Sequence, residues 1–179
     1  MNKKIFCIGW PKTGTTSIEH ALIKFGYKGP VSVGLEVLDL LSKKDYDKIY
    51  KIIENYDYFI DYPWCYKDFY KVLYEKYKEN ALFILNKRNS STWLNSTIKW
   101  YSSNEVRKNH IVVKEIYGSQ DKWLENYENH NKEAEEFFKG NSKFITFDVE
   151  NGDSWNKLCD FLNVENTFGE KEFLWLNKQ

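Results

Sequence analysis

Residues 5–17 read Ile5-Phe6-Cys7-Ile8-Gly9-Trp10-Pro11-Lys12-Thr13-Gly14-Thr15-Thr16-Ser17. The first four residues are apolar and end at Gly9, which is typical of a buried strand. A helix is predicted from about Thr15, because apolar residues follow at helical spacing and Gly26 is placed to cap the C-terminus. Residues 5–26 are therefore predicted to form a strand, a glycine-containing loop and a helix.

The same alternation recurs along the rest of the chain. Further strands are predicted at three short apolar runs: residues 58–60, 81–85 and 144–147. Apolar stripes at helical spacing separate and follow these runs. Strand and helix repeated four times predict an α/β fold, a three-layer sandwich with a mainly parallel central sheet. The length of 179 residues predicts a single domain over residues 1–179.

The sequence supports more detailed predictions for two of the helices. Ser90 or Ser91 is predicted to cap the helix that follows the third strand. The longest helix is predicted from about Asp121 to Lys139, with Phe137 among its inward-facing residues. Trp93, on the earlier of the two helices, is interpreted as a core residue.

Composition and charge exclude several classes of protein. Lys plus Arg and Asp plus Glu each total 26, so the net charge is zero. General nucleic-acid binding is therefore not expected, although a local basic pocket for a small anion remains possible. The three cysteines lack the spacing of a disulfide framework or a zinc site. The apolar run after Lys3 and Lys4 is too short for a signal peptide or a membrane span, so the expected location is the cytoplasm.

The loop from Gly9 to Ser17 lies where an α/β fold places a phosphate-binding loop. Backbone N–H groups at a helix start bind anions, and the hydroxyls here add further donors. The pattern G-x-x-x-x-G-K-[ST] is matched at Gly9 and Gly14, but Thr15 stands at the lysine position and Lys12 lies two residues before Gly14. A P-loop NTPase-like fold is thus predicted without the usual ATP or GTP loop. The candidate anion-binding residues are Lys12, Thr13, Gly14, Thr15, Thr16 and Ser17.

At this loop the sequence resembles a known family. The segment Pro11–Ser17 is similar to the 5′-phosphosulfate loop of the sulfotransferases that use 3′-phosphoadenosine 5′-phosphosulfate (PAPS). In that family an arginine after a central strand and a serine eight positions later bind the 3′-phosphate. Arg88 and Ser96 have this spacing here.

The resemblance extends over most of the chain. Asp61-Tyr62-Pro63 looks like a D-x-P element of one branch of the family, residues 155–162 resemble its W-x-x-L-C-x-F-L helix, and residues 173–177 resemble its closing element. The R-K-G-x-x-G element of the cytosolic small-molecule enzymes is absent. Residues 102–119, where the acceptor would bind, have no recognisable pattern.

The resemblance implies sulfuryl transfer from PAPS to a hydroxyl or amine, with PAP as product and no metal. Lys12 would meet the charge that grows on the leaving phosphate. Asp61, directly after the second strand, would be the general base, although a turn-ordering role is nearly as good an interpretation. His20 and His110 are reserve bases, and His130 is interpreted as structural.

The acceptor class and two other functions stay open. A small molecule, a carbohydrate or a lipid would each serve as acceptor. A P-loop-type nucleotide or small-molecule kinase is the first alternative, with Asp61 or Asp148 as its Mg²⁺-binding carboxylate. A non-catalytic nucleotide-binding relative is the second.

Overall fold

Four short strands form one parallel sheet in the order β2-β1-β3-β4. The protein is represented by a computed structural model, which describes residues 3–103, 105–108, 110, 113–166, 173 and 176. The strands are β1 (Lys4–Cys7), β2 (Tyr58–Phe59), β3 (Ala81–Asn86) and β4 (Phe144–Phe147). All three pairings are parallel, with Ile5 opposite Tyr58 on one side and opposite Leu82 on the other. The predicted α/β fold with a mainly parallel sheet is therefore confirmed.

Eight α-helices in the described part of the chain connect or follow the strands. They are α1 (Thr15–Lys24), α2 (Gly34–Ser42), α3 (Tyr46–Glu54), α4 (Phe69–Tyr77), α5 (Ser90–Ser102), α6 (Glu105–Lys108), α7 (Trp123–Phe137) and α8 (Trp155–Leu162). Short 3₁₀ turns lie at Lys78–Asn80 and Gln120–Lys122, and a π-helical turn lies at Val113–Tyr117. Within the described ranges, none of these helices combines the length and the apolar content that crossing a membrane requires.

Helices cover both faces of the sheet, which is why the strands are mainly apolar. On one face Phe6 and Phe83 pack with residues of α2, α3, α4 and α7. On the other face Ile5 and Cys7 pack with residues of α1 and α8. This arrangement is the predicted three-layer sandwich.

Two details of the helix prediction are wrong. The cap of α5 is Asn89, whose side-chain oxygen accepts from the N–H groups of Ser91 and Thr92, so neither Ser90 nor Ser91 is the cap. Phe137 is 38% exposed, and the buried residue at this end of α7 is Phe138. The helix α7 ends one residue before Phe138, so the inward-facing ring belongs to the residue that closes the helix.

The closing element predicted at residues 173–177 lies outside the described residues, except for Phe173 and Leu176. Phe173 contacts Trp155 of α8 with ring centroids 4.8 Å apart.

His130 on α7 is a buried histidine that supports the end of β1. Its Nε2 donates to the carbonyl oxygen of Ile8 at 2.9 Å, and its ring lies 5.3 Å from that of Trp10. Burial lowers the pKa of His130 to about 4. The imidazole is therefore neutral near pH 7 and fills a structural role, as the sequence predicts.

The titration of His130 makes a testable contribution to stability. Its folded pKa of about 4 lies below the unfolded value of about 6.5, so its contribution is complete above pH 6.5 and is lost as the pH falls. The loss at pH 4 is about 3 kcal/mol in the free energy of unfolding. Urea unfolding of wild type and His130→Gln from pH 7 to pH 4 should show the smaller decline in the variant. The exposed His110, changed to Gln, serves as control and should follow wild type; equal slopes in all three proteins would contradict the assignment.

Candidate active site

A cleft of about 250 Å³ opens at the edge of the sheet where the parallel strands end. It is lined by the loop after β1, by Asp61 after β2, by Lys87 and Arg88 after β3, and by Val149 and Glu150 after β4. In parallel α/β folds this edge is where ligands bind. The cleft brings together all but one of the predicted site residues, namely Lys12, Thr13, Gly14, Thr15, Thr16, Asp61, Arg88 and Ser96.

Ser17 is the predicted residue that does not line the cleft. It is 1% exposed, and its hydroxyl accepts a hydrogen bond from the backbone N–H of Leu176 at 2.9 Å. Ser17 therefore ties the start of α1 to a residue near the C-terminus. Thr13 lines the cleft but is 2% exposed, and its hydroxyl donates to the carbonyl oxygen of Trp10.

The loop conformation requires glycine at two positions. Gly9 lies against the end of β3, where an added Cβ would be 1.8 Å from the carbonyl oxygen of Asn86. Gly14 has φ +89° and precedes α1, with its carbonyl oxygen accepting from Ser17 and Ile18. Glycine adopts this left-handed conformation without steric cost, and the chain passes through it from the loop into α1.

Asn86, the last residue of β3, fixes the loop in place. It is 0% exposed. Its Oδ1 accepts from the N–H of Gly9 at 3.1 Å, and its Nδ2 donates to the hydroxyl of Thr13 at 2.5 Å. One buried amide therefore holds the start and the middle of the loop.

A second connection joins the loop to Arg88 through two aromatic rings. The indole Nε1 of Trp93 donates to the carbonyl oxygen of Pro11 at 3.0 Å. Trp93 stacks on Tyr127 with ring centroids 4.1 Å apart and planes 5° apart. The hydroxyl of Tyr127 accepts from the N–H of Arg88 and donates to its carbonyl oxygen, both at 2.9 Å. The backbone of Arg88 is thus held in register with the loop.

The guanidinium of Arg88 forms an ion pair in the cleft. Its Nη2 lies 3.1 Å from Oε1 of Glu150, and the two side chains are 14% and 19% exposed. Thr92 donates to the other carboxylate oxygen at 2.5 Å. Burial alone would raise the pKa of Glu150, but the hydrogen bonds from Arg88 and Thr92 outweigh burial and hold this pKa below its ordinary value. Glu150 is therefore a carboxylate that positions Arg88.

Asp61 lies two residues after the end of β2 and is in the left-handed region, with φ 63°. Its Oδ1 accepts from the N–H of Tyr62 at 2.8 Å, and its Oδ2 accepts from the hydroxyl of Thr15 at 3.4 Å. Burial is the main cause that raises the pKa of Asp61, against these hydrogen bonds and the charge of Lys12. Its carbonyl oxygen also accepts from Trp64 and Cys65, so Asp61 orders the turn and lines the cleft at once.

Lys12 lies among other cations. Burial lowers its pKa most, the positive charge of Arg107 lowers it further, the charge of Asp61 opposes this, and Arg88 lowers it again. Arg107 on α6 lies against the ring of Trp100 at 5.5 Å. Lys12 and Arg88 line the cleft and Arg107 acts on Lys12, and this concentration of positive charge favours an anionic ligand.

The reserve bases differ in their positions. His110 lines the cleft, with its ring 5.5 Å from that of Trp100. His20 lies on α1 and does not line the cleft. Among the described residues, no three His, Cys, Asp or Glu side chains form a cluster that could hold a metal ion.

Sequence reasoning missed Asn86, Tyr127 and Glu150 as residues that build the site. Asn86 carries a signal, since it is a polar residue at the carboxyl end of an apolar strand. Tyr127 lies on the buried face of α7, and its position in the sequence gives no indication that its hydroxyl bonds the backbone of Arg88. Nothing in the pattern around Glu150 indicates the ion pair with Arg88.

Comparison with known proteins identifies the family. The chain matches the sulfotransferase domain family over residues 4–120 and 107–179, which together span nearly all of it. No curated protein matches the chain. The fold, a parallel α/β sheet with a glycine-containing loop after β1, agrees with this match, and the chain belongs to the sulfotransferase domain family.

The role of Asn86 can be measured by unfolding. Asn86→Ala leaves the buried N–H of Gly9 without its partner and removes one hydrogen bond of the Thr13 hydroxyl, which keeps its bond to the Trp10 carbonyl oxygen. An unpaired buried polar group costs about 1–3 kcal/mol, and a lost hydrogen bond costs about 1 kcal/mol. We expect a loss of about 3 kcal/mol in the urea unfolding free energy. Asn89→Ala, which removes the cap of α5, should cost about 1 kcal/mol. If the two losses are equal, the loop does not depend on the Asn86 amide.

Proposed function

We propose that this chain, as one sulfotransferase-like domain, transfers a sulfuryl group from PAPS to a hydroxyl or amine of a small-molecule, carbohydrate or lipid acceptor. The observation that carries the proposal is the placement of Lys12 and Arg88 in one cleft at the start of α1, in a chain of the sulfotransferase domain family. A helix N-terminus and two cations suit a ligand with a phosphosulfate at one end and a phosphate at the other.

The residues present fit such a donor. Gly14 allows the loop close approach to an anion, and Lys12 is a flexible point charge beside it. Arg88 offers a planar fork of donors that matches a phosphate, and Ser96 lines the same cleft. Lys12 and Thr13–Ser17 would hold the 5′-phosphosulfate, and Arg88 with Ser96 the 3′-phosphate. PAPS would supply the sulfuryl group.

Lys12 would act on the leaving group. In the reaction the acceptor oxygen bonds to sulfur while the bond from sulfur to the bridging phosphate oxygen breaks, so negative charge develops on that oxygen. Burial and the charges of Arg107 and Arg88 disfavour the cationic form of Lys12. An anion at the same place relieves this cost, so the interaction grows as the charge on the leaving phosphate grows.

Asp61 would take the proton from the acceptor hydroxyl. It lies in the same cleft as Lys12, and its raised pKa makes it a stronger base than an exposed aspartate. Its bond to Thr15 orients one carboxylate oxygen. His110 is the alternative base, because it lines the cleft as well.

One binding experiment tests the donor. Calorimetry with PAP, ATP and GTP, each with and without Mg²⁺, should show binding of PAP that does not depend on Mg²⁺. A kinase would bind ATP or GTP more tightly with Mg²⁺ than without it. That second result would replace the proposed function.

Arg88→Ala should weaken PAP binding by roughly tenfold to a hundredfold, since a hydrogen bond to a charged group contributes about 1.5–3 kcal/mol. Arg88→Lys should recover only part of this, because an ammonium lacks the fork. Lys139→Ala, which removes a 75% exposed cation, is the matched control and should bind PAP like wild type. Unchanged affinity in Arg88→Ala would remove Arg88 from the donor site.

The variants Lys12→Ala and Asp61→Asn should differ in which kinetic and binding properties they lose. Lys12→Ala should lose turnover with every acceptor, because the leaving group always develops charge. Asp61→Asn should keep PAP affinity near wild type and lose about 10²–10⁴-fold in kcat, the usual contribution of a general base. Its residual rate should also lack the fall at low pH that protonation of Asp61 causes in wild type.

An acceptor that ionises easily, such as an activated phenol, separates the two roles. It should partly restore the rate of Asp61→Asn and leave Lys12→Ala inactive. Full activity of Asp61→Asn with an aliphatic alcohol would assign the base to another residue, and His110→Gln is then the next variant to measure.

A further inference from the structure

We propose that a small cavity beside Asp61 is the acceptor subsite and that Glu19 selects there for a hydroxyl compound carrying a positively charged amine. The proposal rests on the proposed function for the transfer step, and it adds the class of acceptor. The proposal is based on the position of the Glu19 carboxylate in a cavity next to Asp61.

The cavity has a volume of about 110 Å³ and lies between α1, the start of α2 and the residues that follow β2. Its lining residues are Glu19, Pro30, Ser32, Val33, Gly34, Tyr58, Ile60, Tyr62 and Trp64. An apolar cavity of about 150 Å³ is known to hold one benzene molecule. The cavity is smaller than that, so the part of an acceptor that enters here is smaller than a six-membered ring, such as a short aliphatic chain.

The cavity and the cleft adjoin at Asp61. Ile60 and Tyr62, the neighbours of Asp61 in the chain, line the cavity, whereas Asp61 itself lines the cleft. On the facing helix α1, Thr15 lines the cleft and bonds Asp61, and Glu19 lies one helical turn further on and lines the cavity. A short acceptor whose amine lies at Glu19 in the cavity would extend its hydroxyl toward Asp61.

Local contacts hold Glu19 at the cavity. The hydroxyl of Tyr58 donates to Oε1 of Glu19 at 3.3 Å. The ring of Tyr58 lies against the backbone of Gly29, where an added Cβ would be 2.2 Å from the ring. Tyr58 is therefore fixed from the other side, and it presents its hydroxyl to the Glu19 carboxylate.

The two sites differ in net charge. Among the described residues, the cations Lys12, Lys87 and Arg88 line the cleft together with the carboxylates of Asp61 and Glu150, so cations are in excess there. Within the described part of the chain, Glu19 is the charged side chain that lines the cavity, and no lysine or arginine lines it. Burial is the main cause of the raised pKa of Asp61, and the negative charge of Glu19 adds to it, so the two carboxylates lie in each other's field. A cation between them relieves this repulsion, and an anionic acceptor increases it.

Three short hydroxyl compounds of similar size and different charge test the selection. They are 3-amino-1-propanol, 1-butanol and 3-hydroxypropanoate. Ligand-observed NMR titration of the full chain at pH 7, first without nucleotide and then with saturating PAP, gives their affinities. We expect the amine to bind about tenfold to a hundredfold more tightly than the neutral compound, and the carboxylate to bind more weakly than both.

Glu19→Gln keeps an acceptor for the Tyr58 hydroxyl and removes the charge. It should bind the amine and the neutral compound equally, with PAP affinity as in wild type. Glu36→Gln removes an exposed carboxylate on α2 that does not line the cavity, and it should retain the preference for the amine. Equal binding of all three compounds to wild type, or a preference that survives in Glu19→Gln, would overturn the proposal.

The preference for the amine tests the acceptor subsite, and PAP binding tests the donor assignment, so the two proposals can fail independently. A Glu19-dependent preference for the amine in a protein that does not bind PAP would support the subsite and reject the donor. PAP binding without any Glu19-dependent preference would reject the subsite and leave the donor assignment intact.

Discussion

The site depends on one buried amide, that of Asn86. It lies at the end of β3 and bonds two points of the loop that follows β1, the N–H of Gly9 and the hydroxyl of Thr13. The absence of a side chain at Gly9 lets the two backbones meet closely enough for the first bond. Because β1 and β3 are neighbours in the sheet, the amide transfers the rigidity of the core to a loop that has no regular structure. The positions of Lys12 and of the first turn of α1 follow from that anchor.

The positive charges at the cleft are electrostatically unfavourable in the ligand-free protein. Lys12 is partly buried within the influence of Arg88 and Arg107, and burial and these charges both disfavour its cationic form. Glu150 and Asp61 offset part of the repulsion, the first through an ion pair with Arg88 and the second through its charge near Lys12. Groups held in this way are ready for an anion before it arrives, so little reorganisation is needed on binding.

The sequence predicts the sheet well and the connections within the site poorly, for a physical reason. The apolar runs within β1, β3 and β4 are recognisable because each run is local in the sequence, even though β4 includes Thr146 and is only partly buried. The loop residues Gly9, Lys12 and Gly14 are likewise recognised from their spacing within one short segment. By contrast, Asn86 meets Gly9 across 77 residues, Tyr127 meets Arg88 across 39, and Glu150 meets Arg88 across 62. Such pairings follow from the order of strands in the sheet, which a single sequence does not display. The prediction of the α5 cap was wrong for a different reason. Ser90 and Ser91 have side chains that can cap a helix, but the residue that precedes the first turn of α5 is Asn89.

The stacked pair of Trp93 and Tyr127 gives the protein a built-in optical reporter. The indole is fully buried, with its N–H on the Pro11 carbonyl and its face against a phenol ring. Any ligand that moves the loop backbone at Pro11 changes the hydrogen bond that polarises this indole, and the emission of a buried tryptophan responds to such a change. Even a small movement of the loop at Pro11 can therefore be followed in the unlabelled protein by tryptophan fluorescence, with Trp93→Phe to identify the source of the signal.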